Sequence, residues 1–363
     1  MSNPEHIYFN AFCQIGQIGS VRFRKILNHF DRMETAWRAP ISQLREAGLE
    51  ESILNQVLDA RAHFEPENEF AKLLKQNIKL LTIRDEEFPK LLKEIPNPPI
   101  VLYVKGNLVF QDEMAIAVVG TRNMTTYGRQ VAEDIVRDLV RANLTVVSGL
   151  ALGIDAVAHK TTVEFNGRTI AVLGSGVDNI YPVSNRVIAE KILGGRGAII
   201  SELPPGSPPL KHHFPNRNRI ISGLALGTLV VEAAEDSGAL ITARHALEQN
   251  RQVFAIPGSI YSSVSAGPNN LLKMGAKPVT TARDILEELN LENLQKQLVA
   301  EEIVGDNDEE NKILTLLTRV PQHFDLVAKT SGLPASIVAS TLTLMEMKGK
   351  VRNLGGNQYV KSR

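Results

Sequence analysis

The chain has 363 residues, 43% hydrophobic and 22% charged, which excludes a disordered chain and predicts two or three globular domains. Forty basic residues balance forty acidic ones, so the whole-chain charge points to no partner, and the single cysteine, Cys13, excludes a disulfide framework and a Cys-rich zinc module. No apolar run reaches membrane-spanning length and Met1–Asn10 lacks the basic and apolar stretches of a secretion signal, so no membrane segment and a cytoplasmic location are expected.

Residues 1–76 read as a small helical domain. Apolar residues recur at helical spacing in Phe23, Ile26, Leu27 and Phe30, and again in Ile53, Leu54, Val57 and Leu58. Gly16-Gln17-Ile18-Gly19 ahead of Val21–Phe30 has the form of a helix-hairpin-helix turn. Such turns aim backbone N–H groups at DNA phosphates, and a packing or oligomerisation role suits the same residues equally well.

Residues 77–290 alternate apolar runs with amphipathic stretches. The runs are Met114–Gly120, Leu144–Ser148, Thr169–Leu173, Ala198–Ser201, Thr228–Ala233 and Val253–Ile256, with helices such as Gly128–Arg141 and Leu240–Asn250 between them. Near-continuous apolar strands joined by helices predict an α/β domain, a doubly wound Rossmann-like parallel sheet covered on both faces. Such sheets bind ligands at the C-terminal ends of their strands. Residues 291–311 crowd Glu301, Glu302, Asp306, Asp308, Glu309 and Glu310 together, the composition of an acidic, solvated linker. From Lys312 on, eight cations face two acids, a net +6. Helices over Lys312–Thr318, Phe324–Thr330 and Pro334–Lys348, then two short strands flanking Gly355-Gly356, predict a winged-helix domain over 312–363.

The central region repeats one device, a glycine-bearing loop between a strand and a helix. It occurs at Gly120-Thr121-Arg122, at Ser148-Gly149-Leu150-Ala151 with Gly153-Ile154-Asp155, and at Gly174-Ser175-Gly176. Glycine lets backbone N–H groups approach a ligand, and a helix N-terminus adds a positive dipole end. Any doubly wound protein needs glycine at such turns, but three of them on one sheet edge, with Arg122 in the first, point to anion binding. No second glycine follows Gly120 in the dinucleotide pattern, so no nicotinamide cofactor is expected.

Phe214-Pro215-Asn216-Arg217-Asn218-Arg219 is the densest signal. Pro215 suits a first helical turn, which puts Arg217 and Arg219 at a positive helix end, where the two repel unless an anion sits between them. Lys211 adds to that field, carried by the rigid Pro204–Pro209 loop. Asp155 and His159, four apart, are expected to form a helix-start ion pair rather than a metal site, and His212-His213 is not expected to bind metal. Glu232 ends an apolar strand, where a carboxylate needs a partner; the arginines of the preceding helix or Arg244 are the nearest candidates. Cys13 is expected to be a core thiol.

These blocks, with Tyr181-Pro182, Ser201-Glu202, Arg217-Asn218-Arg219-Ile220-Ile221, Val230-Val231-Glu232-Ala233, Ile241-Thr242-Ala243-Arg244 and Pro257-Gly258, resemble the DNA processing protein A family (DprA, also called Smf) from about Leu80 to Ala276. The family's usual flanks, a sterile-alpha-motif-like N-terminal domain and a C-terminal winged helix, are echoed more weakly. The resemblance implies a homodimer that binds single-stranded DNA, protects it during natural transformation and helps load the recombinase RecA, with no catalysis and no cofactor. It implies a DNA site at Gly120, Thr121, Arg122, Ser148, Gly149, Asn216, Arg217 and Arg219, with Lys160 and Lys211 beside it, and a dimer segment within Pro268–Ala276. Sequence-independent phosphate contact is the binding mode such residues suit. At 5% aromatic, base stacking is not expected to dominate; Tyr127, Phe214 and Tyr261 are the rings near the loops.

Two other readings are open. Gly227-Thr228 with Glu232 partly echoes LOG-type nucleotide phosphoribohydrolases, without their Pro-Gly-Gly start and with three residues instead of two between Thr and Glu. A winged-helix regulator fits the basic tail, although Pro334–Lys348 carries only Glu346 and Lys348 as charges, thin equipment for reading base edges.

Overall fold

The computed structural model describes residues 3–291, 305–318 and 320–361. The chain forms two compact units, Met1–Gln295 and Lys296–Arg363.

The first unit opens with six helices: α1 (Glu5–Cys13), α2 (Ser20–His29), α3 (Met33–Arg38), α4 (Ile41–Glu46), α5 (Glu51–His63) and α6 (Pro66–Lys75). The helical spacing places Phe23, Ile26 and Phe30, and Ile53, Leu54 and Val57, in the core, while Leu58 stays exposed. These helices do not close a core of their own. Their cluster runs on into Tyr103, Leu150, Leu173 and Ile199 of the sheet layer. The Tyr103 hydroxyl donates to Asn10 Oδ1 at 2.9 Å, and His6 Nε2 lies 3.0 Å from Asp85. Cys13, expected in the core, is half-buried and packs against its margin, with its thiol pushed up to about 12 by burial.

The sheet is formed by β1 (Lys79–Thr82), β2 (Val101–Gly106), β3 (Ala115–Val119), β4 (Thr145–Ser148), β5 (Thr169–Val172), β6 (Gly197–Ser201), β7 (Gly227–Val230), β8 (Gln252–Ala255) and β9 (Lys277–Pro278), interleaved with α7 (Lys90–Lys93), α8 (Thr126–Arg141), α9 (Ile154–Glu164), α10 (Arg186–Lys191), α11 (His213–Gly223), α12 (Gly238–Glu248), α13 (Ala266–Lys273) and α14 (Ala282–Glu288). Among the described residues the strand order is β1-β2-β6-β5-β4-β3-β7-β8-β9. Every residue of β3 to β7 is buried, which is why those segments read as unbroken apolar runs. From β3 the chain winds outward through β4, β5 and β6, then returns to β7 on the other side of β3. The sheet is therefore doubly wound, and its switch point lies between β3 and β7. The sequence did not announce β1 and β2, which extend the β6 edge antiparallel, Tyr103 pairing with Ser201.

The second unit has helices α15 (Asp308–Leu316), α16 (Phe324–Ser331) and α17 (Ala335–Met347), and strands β10 (Gln322–His323), β11 (Val351–Asn353) and β12 (Gln358–Lys361). Ile313, Val327, Val338, Leu342 and Met345 form its core. Gly332 ends α16 at φ 67, the left-handed cap that lets α17 turn back. Of the acidic run, Glu301 and Glu302 lie outside the described residues, but Asp306, though exposed, and the buried Glu310 are both paired with lysines of the same unit. Lys348 Nζ lies 2.7 Å from Asp306 and 2.6 Å from Glu310, and Lys350 pairs with both as well. Glu310 is only 1% exposed, so two of the tail's cations are already neutralised within its own unit.

Candidate functional site

The site grows from the switch point, where the loops after β3 and β7 meet. The Thr121 N–H donates to Glu232 O at 2.6 Å. The Glu232 carboxylate then turns under α8 and accepts from Thr125 N at 2.9 Å and Thr125 Oγ1 at 2.6 Å. That hydroxyl in turn caps Gly128 N at 3.1 Å. Gly128 is required here because a Cβ would stand 2.1 Å from Glu232 Oε2. The partner of Glu232 is therefore the N-terminus of α8, 107 residues away, and not an arginine of α11 or Arg244. A helix N-terminus compensates a buried carboxylate. Glu232 is 1% exposed, and each of its carboxylate oxygens accepts a hydrogen bond from Thr125.

The loop after β4 is wired from inside. The Ser148 hydroxyl donates to Val118 O at 2.6 Å. The N–H groups of Gly149 and Ala151 donate to Asp155 Oδ2 at 3.1 and 3.4 Å. Arg217 Nη1 donates to Gly149 O at 2.7 Å and also to Val172 O at the end of β5. Asn185 donates to Leu150 O at 2.9 Å and Ala151 O at 3.1 Å, holding Leu150 at φ 55. Gly153, at φ 77, presses on the first loop: a Cβ there would lie 2.2 Å from Thr121 O. The third loop donates Gly176 N to Ser207 O at 3.0 Å, under the proline-rich segment.

Burial sets the charges. Desolvation raises the Asp155 carboxyl above its usual range, opposed by Arg217, whose own pKa falls to about 10 through burial, with Arg122 adding to the fall. His159, 0% exposed, falls to about 3 for the same reason and so stays neutral. Its Nδ1 bonds Thr169 Oγ1 at 2.7 Å. The expected Asp155–His159 ion pair does not form, because Asp155 faces the loop N–H groups and Arg217.

Above this braced floor stands Arg122, exposed, with its guanidinium carbon 5.9 Å over the Phe214 ring. Phe214 rests on Gly174, where a Cβ would approach its ring to 2.9 Å, and meets Tyr181 at 5.9 Å. Tyr127 donates its hydroxyl to Pro257 O, and Tyr261 is 93% exposed.

The structure thus brings Gly120, Thr121, Arg122, Ser148, Gly149 and Arg217 together. Arg219 is elsewhere: residues two apart on a helix point to different faces, and Arg219 pairs with Glu202 on the other side of α11. Helix α11 begins at His213, so Arg217 sits a full turn inside it and not at its end. The two arginines therefore do not face each other across a shared anion, as their spacing led us to expect. Asn216 and Lys211 are exposed near the start of α11, and Lys160 is exposed beside Glu164 at 3.7 Å. Asn185, which steadies the second loop, carried no signal in the sequence. His212 and His213 stack edge to face at 4.4 Å; among the described residues no cluster of three or more His, Cys, Asp or Glu is placed to hold a metal, and no helix is long and apolar enough to cross a membrane.

Residues 79–290 match the family described as DNA recombination-mediator protein A, and residues 300–357 match the DprA winged helix domain. Protein Smf of Synechocystis is 35% identical, with 99% of each chain covered. The solved structure of DNA processing protein A from Streptococcus pneumoniae is similar at 34% identity and a TM-score of 0.68, covering 79% of this chain and 99% of that one. The Helicobacter pylori protein, solved for its single-stranded DNA binding mode, is similar at 28% identity and a TM-score of 0.53, over 59% of this chain and 97% of that one.

Proposed function

The chain belongs to the DNA recombination-mediator protein A family, and from that premise we propose that it binds single-stranded DNA without sequence preference. In this reading it shields incoming strands and promotes RecA loading in transformation or homologous recombination, working as a non-catalytic cytoplasmic homodimer. The observation that carries the reading is the exposed Arg122 guanidinium over Phe214, on loops that Glu232, Asp155, Asn185 and Arg217 hold rigid. An arginine beside a ring offers a fork of donors to any phosphate and a π-face to any base, so neither partner depends on sequence. Arg217, 5% exposed, acts mainly by bracing the Gly149 loop and adding positive field. Within Pro268–Ala276, the candidate dimer segment, Met274 is 76% exposed.

The test is fluorescence anisotropy on labelled single-stranded and duplex oligonucleotides across a salt series. Wild type should prefer the single strand. Arg122→Ala should weaken binding and flatten the slope of log K against log salt by about 0.7 for each phosphate that is no longer neutralised. Equal binding by wild type and Arg122→Ala would sink the site assignment.

A further inference from the structure

In the winged unit, helix α17 occupies the place where a DNA-reading winged helix carries its recognition helix. Val338, Thr341, Leu342 and Met345 turn inward to the core. On the exposed side Ile337, Ser340, Leu344 and Met347 follow at i, i+3, i+7 and i+10, the spacing of a helix–helix seam. All four are exposed, Met347 to 81%. The hydroxyls on this side are engaged within the helix. Ser340 Oγ lies 3.1 and 3.0 Å from the carbonyl oxygens of Ser336 and Ile337, and Thr343 Oγ1 donates to Ala339 O at 3.0 Å. No charged residue occurs from Ala335 to Met345. The face can therefore lose its water without stranding a charge or a hydroxyl donor.

Duplex DNA is a poor match for such a face. A helix that reads it needs cations for phosphates and polar groups for base edges. The unit Lys296–Arg363 carries nine cations against eight acids, so the +6 of the tail is offset once the acidic run before it is counted in the same unit. Lys348 and Lys350, the cations that follow the seam, are held by Asp306 and Glu310.

A covering surface that brought a charge would bury it unpaired, so the occupant is itself an uncharged apolar helix stripe. A second copy of α17 meets that condition. Packed antiparallel about a two-fold axis, Ile337 of one copy faces Met347 of the other, the small Ser340 faces Leu344, and the two helix dipoles oppose. A near-neutral unit also repels its own copy little. We propose that the winged-helix units of two chains pair through α17. A face of 13 residues, about 20 Å long, is smaller than a standard protein interface. The pairing therefore needs two chains already joined, where the effective concentration is about millimolar. It rests on the homodimer proposed above.

The experiment uses the full chain with Ser340→Cys and a short bis-maleimide. Wild type, whose single thiol at Cys13 is half-buried, is the control. Sedimentation should show a dimer, and Ser340→Cys should give a cross-linked dimer that the control does not. Adding Leu344→Lys should cut the cross-linked yield about fivefold or more while the sedimenting dimer persists. Met347→Lys, at a more exposed position, should do the same if the first variant fails to fold. Duplex affinity should stay within about twofold of wild type in both lysine variants. A sedimenting dimer without cross-linking overturns the proposal, and so does cross-linking that survives both lysine variants. Duplex binding tightened by either lysine would give the face to DNA and overturn it as well. A chain that sediments as a monomer would refute the homodimer reading itself, and the pairing with it.

Discussion

Arg217→Met tests whether the loop after β4, beneath Arg122, is held by charge. The side chain is 5% exposed, and its guanidinium both donates to two backbone carbonyls and faces the buried Asp155 carboxyl. Methionine fills much of the same volume but leaves Gly149 O and Val172 O without a donor and Asp155 without its cation. Removing one partner of a buried charge pair costs about 3–5 kcal/mol, a large part of the roughly 5–15 kcal/mol that holds a typical domain together. The assay is urea unfolding at neutral pH, read as a lower midpoint with an unchanged m-value. Adding Asp155→Asn should recover about 1–3 kcal/mol relative to the sum of the single changes, because the stranded carboxylate is then gone. A single-variant loss under about 1 kcal/mol, or strict additivity of the two changes, would refute the account of Arg217 as the charge that braces the second loop.

The remaining predictions concern pH and packing. His159 titrates at about 3 in the fold against 6.5 for the free side chain; the folded state binds fewer protons, so stability is complete above pH 6.5 and is lost as pH falls toward 3. The slope should approach about 1.4 kcal/mol per pH unit, and His159→Gln should remove it in acid-denaturation curves. Glu310, drawn down to about 2 by the Asp306 N–H and by Lys348 and Lys350, contributes stability above pH 4.5 that fades as pH falls toward 2. Protection factors in Asp308–Leu316, exchange rates corrected for their intrinsic pH dependence, should fall over that window in wild type and fall much less in Glu310→Gln. Gly128→Ala must push a Cβ into the Glu232 carboxylate, while Gly238→Ala meets nothing within 4 Å. Thermal melts should show the first destabilised by about 1–3 kcal/mol and the second unchanged or slightly stabilised; equal melting temperatures would contradict the packing described around Glu232.

The doubly wound fold was legible in the chain because β3 to β7 are buried on both faces, and burial on both faces leaves an unbroken apolar run whatever the partners are. The place of Arg122 was legible too, since a loop directly after β3 must emerge at the C-terminal edge of the sheet. The winged helix followed from helix spacing and the Gly332 turn. Direction and pairing were not legible. Arg217 and Arg219, two apart in the motif, go to different sides of α11. Glu232 finds its partner 107 residues away, Asp306 and Glu310 turn from a supposed linker into the anchor of two lysines, and β1 and β2 join an edge that only the folded sheet creates. Local sequence sets the period of burial, which is a property of neighbours along the chain. The partner a buried charge takes is set by contacts across the core, and those exist only once the strands have been ordered.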